Sequence, residues 1–215
     1  MIIIGAKGFA KEVLEVVHQL NQLENVVFYD DVTTDAPKFL YEKFKVVTTL
    51  KEAQVYFKDV DSRFTIGIGN PVLRKQLFDK FSAIGGEYCA TISPQATVGS
   101  YEVSIGQGSN VLSGAIFSNS VKIGLGCIVY YNSIITHDCI IGDFVEISPS
   151  VTILGRVKID SYTQIGANAT ILPDVVIGKN VIVGAGSVVT KNLPDNCVAF
   201  GIPAKIIKQL APLEF

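Results

Sequence analysis

The chain has two histidines in 215 residues, and their surroundings differ. His18 lies among Gln19 and Asn21 in a segment with helical spacing and reads as a solvated side chain. His137 lies in Thr136-His137-Asp138-Cys139. An imidazole titrates close to neutral pH and suits general acid–base work. Asp138 either orients that imidazole or is a solvated turn residue; adjacency alone does not separate the two. Cys139 invites a Cys–His nucleophile, but it shares its place in a six-residue repeat with Cys127 and reads as packing. Near the N-terminus, Gly5-Ala6-Lys7-Gly8 forms a turn that opens a helix, where backbone N–H groups can bind phosphate. It lacks the Gly-x-Gly-x-x-Gly dinucleotide fingerprint, so plain turn glycines compete with that reading. Asp30-Asp31 and Gly67–Asn70 stand in equivalent places, each after a short apolar run.

Positioning these residues takes two kinds of element. Residues 1–86 hold 11 Lys/Arg and 11 Asp/Glu, while the longer stretch 87–215 holds only 7 and 9. In the first stretch Met1–Ile4 reads as a strand. Phe9–Leu20 reads as a helix, with apolar residues at 10, 13, 14, 17 and 20. Val26–Tyr29 is a second strand, and Thr49 with Glu52 forms a capping box. Phe64–Ile68 is another strand, and Gly69-Asn70-Pro71 opens a helix through about Phe81. This alternation predicts a small Rossmann-like α/β domain with a parallel sheet. Ligands of such sheets gather at the carboxyl ends of the strands, where Gly5, Lys7, Gly8, Asp30, Asp31, Gly69 and Asn70 stand. Ile84-Gly85-Gly86 is read as a hinge.

The second stretch is a repeat. From Ile105 to Val189 every sixth residue is large and apolar, and two residues before each stands a smaller or β-branched one, from Val103 to Ser187. Ile92 and Val98 extend the pattern backward across a one-residue slip near Tyr101. The 25 Ile and 26 Val, against 14 Leu, fit strands. Period six is the hexapeptide repeat of a parallel β-helix, three hexads to a triangular coil of 18 residues. Ile-Gly or Ile-Asp recurs every eighteenth residue from Ile105-Gly106, which predicts a corner at positive φ. In this register His137 falls on an outer turn, with Gly155 one coil above and Asn119 one coil below. A glycine there predicts open space and an accessible backbone N–H. Arg156 lies one coil above Asp138 and is able to compete for it.

The repeat resembles that of the left-handed β-helix acyltransferases. Four further segments narrow it: Gly5–Gly8, Ile66-Gly67-Ile68-Gly69-Asn70 with Arg74, Thr136–Cys139, and Gly201-Ile202-Pro203-Ala204-Lys205. With them the chain is similar to the sialic acid O-acetyltransferase and bacillosamine-pathway N-acetyltransferase family. The resemblance implies an N-terminal α/β nucleotide-sugar-binding domain over residues 1–86. It implies a left-handed parallel β-helix with a C-terminal tail over residues 87–215. It implies acetyl-CoA as co-substrate and direct attack by a nucleotide-linked amino sugar, of the 4-amino-4,6-dideoxy kind, with His137 as general base and Asp138 orienting it. Gly155 would hold the thioester or its oxyanion. Gly184, Ala185 and Lys205 would border the coenzyme, Lys205 being equally a solvated tail lysine. Gly5, Lys7, Gly8, Asp30, Asp31, Gly69 and Asn70 would hold the nucleotide sugar. A homotrimer, with the groove between columns, is also implied. Two positions depart from the family: Glu146 replaces a histidine often found nine residues after the base, and Tyr130 replaces an asparagine seven residues before it.

Sugar O-acetylation and a non-catalytic trimeric sugar-nucleotide sensor are the alternatives. The single histidine of the column is too few for a three-histidine zinc site, so no metal is expected. The α/β unit is unlike the helical N-terminal domain of serine acetyltransferases. A net charge of −2 gives no footprint for nucleic acid. No apolar run is long enough for a membrane helix, and Met1–Ile4 is too short for an export signal. A cytoplasmic protein with free thiols at Cys89, Cys127, Cys139 and Cys197 is expected.

Overall fold

The computed structural model describes residues 1–34 and 37–214. The N-terminal sheet has strands β1 (Ile2–Ile4), β2 (Val27–Tyr29), β3 (Phe39–Leu40), β4 (Phe44–Val47), β5 (Arg63–Ile66) and β6 (Glu87–Tyr88). Their order is β3-β4-β2-β1-β5-β6, parallel except for the β3–β4 pair. Helices α1 (Gly8–Gln19), α2 (Leu50–Asp59) and α3 (Pro71–Ser82) connect them. Apolar Ala10, Val13, Leu14 and Val17 put one buried face of α1 on the sheet. The Thr49–Glu52 capping box starts α2, as its sequence predicts. Asn70 caps α3 by accepting from the Leu73 N–H at 2.9 Å, with Pro71 in the first turn. β1 is central, and the chain leaves it to β2 on one side and β5 on the other. A crevice therefore opens at the carboxyl ends of these three strands.

The expected hinge is not loose. A Cβ on Gly86 would stand 2.7 Å from the rings of Phe57 and Phe64, and β6 directly after it pairs with β5. The short β3 and β4, with no clear alternation, go unrecognised in the sequence.

Beyond β6 the chain winds as a three-sided parallel β-helix. Each hexad contributes a two-residue strand, and strands 18 residues apart stack in register. The first face runs from Thr91–Ile92 to Ile182–Val183, the second from Thr97–Val98 to Val188–Val189, the third from Ser104–Ile105 to Val176–Ile177. The every-sixth apolar residues from Val111 to Val189 are all buried, in one continuous core. Each such side chain contributes about 1.5–3 kcal/mol. The smaller residue two positions earlier also points inward. At Ser109, Cys127, Ser133, Cys139 and Thr163 it donates to the carbonyl fifteen residues on, as from Ser133 to Ser148 at 2.9 Å, Thr163 to Gly178 at 2.8 Å and Cys139 to Leu154 at 3.2 Å.

The turns correct one expectation. The Ile-Gly corner glycines do not lie at positive φ. They are small because the next coil passes close: a Cβ on Gly142 would be 2.7 Å from the Ser161 nitrogen. Positive φ falls elsewhere, at every sixth residue from Gly108 to Gly186, with φ between 55° and 76°. Asp138, Phe144, Arg156, Tyr162 and Asp174 are among these residues.

The N-terminal unit covers the first face. Asn110, buried there, accepts from Thr65 and Thr91 hydroxyls at 2.9 and 2.5 Å and donates to the Ile66 carbonyl at 2.9 Å. Arg74 of α3 is completely buried. Its guanidinium donates to the carbonyls of Gly126 (3.1 Å), Phe144 (2.6 Å) and Val145 (3.3 Å), and to that of Gly69. Burial pushes this group below its ordinary value. One side chain thus ties the crevice to the column.

Candidate active site

His137 sits on the corner between the second and third faces, between Ile134–Ile135 and Ile140–Ile141. The positive φ of Asp138 (62°) turns its carboxylate back, so that Oδ2 lies 2.7 Å from Nδ1 of His137. Both side chains are about half exposed, at 53% each. A carboxylate on Nδ1 favours the tautomer with its proton there and leaves Nε2 as the proton acceptor. Nε2 has no partner among the described residues. Gly155 lies directly against the ring: a Cβ on it would be 2.5 Å from Cε1 and 2.6 Å from Nε2. The expected open space over Gly155 is therefore filled by the imidazole itself. Gly155 still has a backbone N–H that donates to no described residue.

Arg156 does not take Asp138. Its guanidinium bonds Asp174, one coil further, with Nε–Oδ1 2.6 Å and Nη2–Oδ2 2.8 Å. Cys139 is buried, its thiol bonded to the Leu154 carbonyl and pushed up by burial, which fits packing rather than nucleophilic attack.

The crevice is a cavity of about 640 Å³. Gly5, Lys7, Asp30, Asp31 and Gly69 line it, as the strand ends predict. Gly8 is exposed at the start of α1 outside the lining, and Asn70 is occupied as the α3 cap. Asp30 folds into its own loop, accepting from the Val32 and Thr33 N–H groups (3.1 and 3.0 Å) and the Thr33 hydroxyl (2.8 Å). Burial would push its carboxyl up, but these bonds hold it below the usual range. Asp31 receives the Tyr29 hydroxyl at 2.9 Å and the Lys80 ammonium at 2.8 Å; they outweigh burial and likewise hold its carboxyl low. Tyr29 and Lys80 escape the sequence reading. Leu73, Gln76, Leu77 and Lys80 also line the cavity, at helical spacing along α3, and that stripe is the signal that could have found Lys80.

Glu146 and Tyr130, the two departures, lie where the α/β unit meets the column. Glu146 accepts from Gln164 Nε2 at 3.0 Å and faces Gly69 of the cavity rim. Burial raises its carboxyl, against the pull of Gln164 and Arg74. The Tyr130 ring packs 5.1 Å from that of Phe9, a cavity-lining residue. Gly184 and Ala185 follow the first face, on a different corner from His137 and Gly155. Gly184 lies close beneath the Phe200 ring. Lys205 is exposed, opposite Phe200 in an antiparallel pair formed by Cys197–Gly201 and Ala204–Gln209.

No cluster of three metal-ligating side chains occurs among the described residues. No described helix is long and apolar enough to cross a membrane.

Residues 1–81 match the family described as the PglD N-terminal domain. Residues 138–173 and 156–191 match the bacterial transferase hexapeptide family. Perosamine N-acetyltransferase from Caulobacter crescentus, in a variant bound to CoA and GDP-perosamine, is 30% identical, with a TM-score of 0.89 and 97% of this chain and 96% of that chain covered. The acetyltransferase domain of PglB from Neisseria gonorrhoeae, bound to acetyl coenzyme A, is 30% identical, with a TM-score of 0.84 over 96% and 98% of the two chains. WeeI from Acinetobacter baumannii is 32% identical, with a TM-score of 0.86 over 96% and 98%. With both halves matched and end-to-end similarity at this level, the chain belongs to the left-handed β-helix family of hexapeptide-repeat sugar N-acetyltransferases that carry a PglD-type N-terminal domain.

Proposed function

We propose that this enzyme transfers an acetyl group from acetyl-CoA to the amine of a nucleotide-linked amino sugar, of the 4-amino-4,6-dideoxy kind. The carrying observation is His137, held through Nδ1 by Asp138 with Nε2 free beside Gly155. The amine nitrogen attacks the thioester carbonyl carbon while Nε2 takes its proton. The Gly155 N–H stabilises the oxyanion. The carbon–sulfur bond then breaks, and the imidazolium returns its proton to the leaving thiolate. The products are the N-acetyl sugar and free CoA, with no acyl-enzyme. The complex of the C. crescentus relative with GDP-perosamine supports a nucleotide sugar as acceptor. The crevice at the strand ends is its proposed place, with Lys7 and Lys80 supplying positive charge for its phosphates. We take the protein to act in the cytoplasm, where acetyl-CoA is found.

The working form is a homotrimer. In a three-sided prism the corner between the second and third faces lies opposite the first, and the first face carries the cavity. One chain therefore holds its base and its sugar crevice on opposite sides, and its coenzyme candidates on two corners. A neighbouring copy brings these halves together. Exposed Ile116 and Ile134 on the second face, and Ile140 and Val176 on the third, offer it apolar surface.

The test is a panel of nucleotide 4-amino sugars assayed with acetyl-CoA. Transfer is expected to one or more of them, falling about 10²–10⁴-fold in H137A. Full activity in H137A removes the base. Binding without transfer in the wild type favours the sensor.

A further inference from the structure

The corner that carries His137 also carries a charge ladder the transfer step does not use. Successive positive-φ residues along it are Glu102, Ser120, Asp138, Arg156 and Asp174. Arg156 thus stands one coil from two carboxylates, in near-equivalent backbone settings, with φ of 62°, 65° and 64° along the three. The Arg156 N–H bonds the His137 carbonyl at 3.0 Å, and the Asp174 N–H bonds the Gly155 carbonyl at 3.0 Å. Yet among the described residues the guanidinium binds Asp174 alone, through both Nε and Nη2. Asp138 is left to His137.

We propose that Asp174 is a positioning residue for the base: by engaging Arg156 it keeps the guanidinium off Asp138, whose carboxylate then holds His137 with Nε2 unprotonated. This rests on the reading of His137 as the base. Exposed arginine–carboxylate pairs are weak and reversible, so losing one partner releases Arg156 to take the other. A fork on Asp138 would compete with Nδ1–H for Oδ2 and pull the carboxylate away from the ring. It would also set a positive charge beside an imidazole that must itself become positive during the reaction. Within one chain, the described residues of this corner that flank His137 are Asp138 on its own turn, Arg156 and Asp174 above it, Asn119, Ser120 and Glu102 below, and the Cys139 thiol from the interior. Among these, Arg156 is the cation.

The experiment uses the complete chain with D174N and D174N/R156M. Asparagine tolerates positive φ, so D174N removes charge without straining the turn. Nitrogen-15 NMR of the imidazoles, with His137 assigned by its loss in H137A, reads the tautomer directly. The fraction protonated at Nδ1 is expected to fall in D174N and return in the double variant. In the acetyl-transfer assay kcat should fall about five-fold in D174N, recover in D174N/R156M, and leave KM for acetyl-CoA within about two-fold. Melting temperatures should agree within about 2–4 °C, because the pair is exposed. An unchanged tautomer fraction in D174N, or a double variant that does not recover, overturns the proposal. A wild type that transfers no acetyl group overturns the reading of the site instead, and the tautomer measurement decides the ladder without it.

Discussion

A methyl group at residue 155 would stand 2.6 Å from Nε2 of His137, so Gly155→Ala must displace the imidazole. Misplacing a reacting group by about 1 Å costs roughly 10²-fold in rate. That drop is expected in kcat for Gly155→Ala, with cooperative melting retained, since the clash is with a half-exposed ring. His137 was legible in the sequence because it breaks from the ladder at a position no packing role explains. The partner of Arg156 was not legible. Asp138 and Asp174 lie eighteen residues on either side of it, and only the structure shows which one the guanidinium takes. Tyr29 and Lys80 come from separate elements and meet only because β2 and α3 flank the same crevice.

At the scale of elements, α3 is held to the column by Arg74. Arg74→Met leaves the Gly126 and Phe144 carbonyls without a donor, while Val145 keeps the Ile128 N–H, at about 1–3 kcal/mol for each buried group left unpaired. A loss of at least about 2 kcal/mol in denaturant unfolding is expected, larger than for any exposed charge pair. Glu146 sits at the same seam, and its raised carboxyl gives a pH dependence. As pH rises, the unfolded chain loses this proton before the folded one does. The wild type therefore loses stability from about pH 4.5 upward until the folded carboxyl has ionised. Glu146→Gln should melt higher than wild type near pH 7, with the difference shrinking toward zero at pH 4. A difference that grows on acidification would contradict the raised carboxyl. The helices and rungs were visible in advance because apolar periods of 3.6 and 6 persist over many residues. The Ile-Gly corner does not reveal its reason in sequence, since close approach between coils and positive φ both select glycine.

For the whole molecule, the opposite placement of crevice and base makes two predictions. Sedimentation should give about three times the 23.2 kDa chain mass, and Ile134→Lys, on the second face, should lower it while leaving the fold intact. Mixing H137A with Gln76→Trp, which obstructs the cavity, should restore activity to about a quarter of the sites under the proposed assembly, in which a site takes its crevice and its base from different chains. Recovery of nothing after subunit exchange would place both halves on one chain. The end of the column has a consequence of its own. After the last parallel strand of the first face, Cys197–Gly201 stacks on Ile182–Val183 and then pairs antiparallel with Ala204–Gln209. That reversal replaces the next coil with an exposed edge strand, Ala204–Gln209, whose Lys205 and Lys208 discourage pairing with another chain. The hairpin thus blunts this edge against polymer growth. Deleting residues 203–214 should turn a discrete particle into filaments visible by light scattering and electron microscopy.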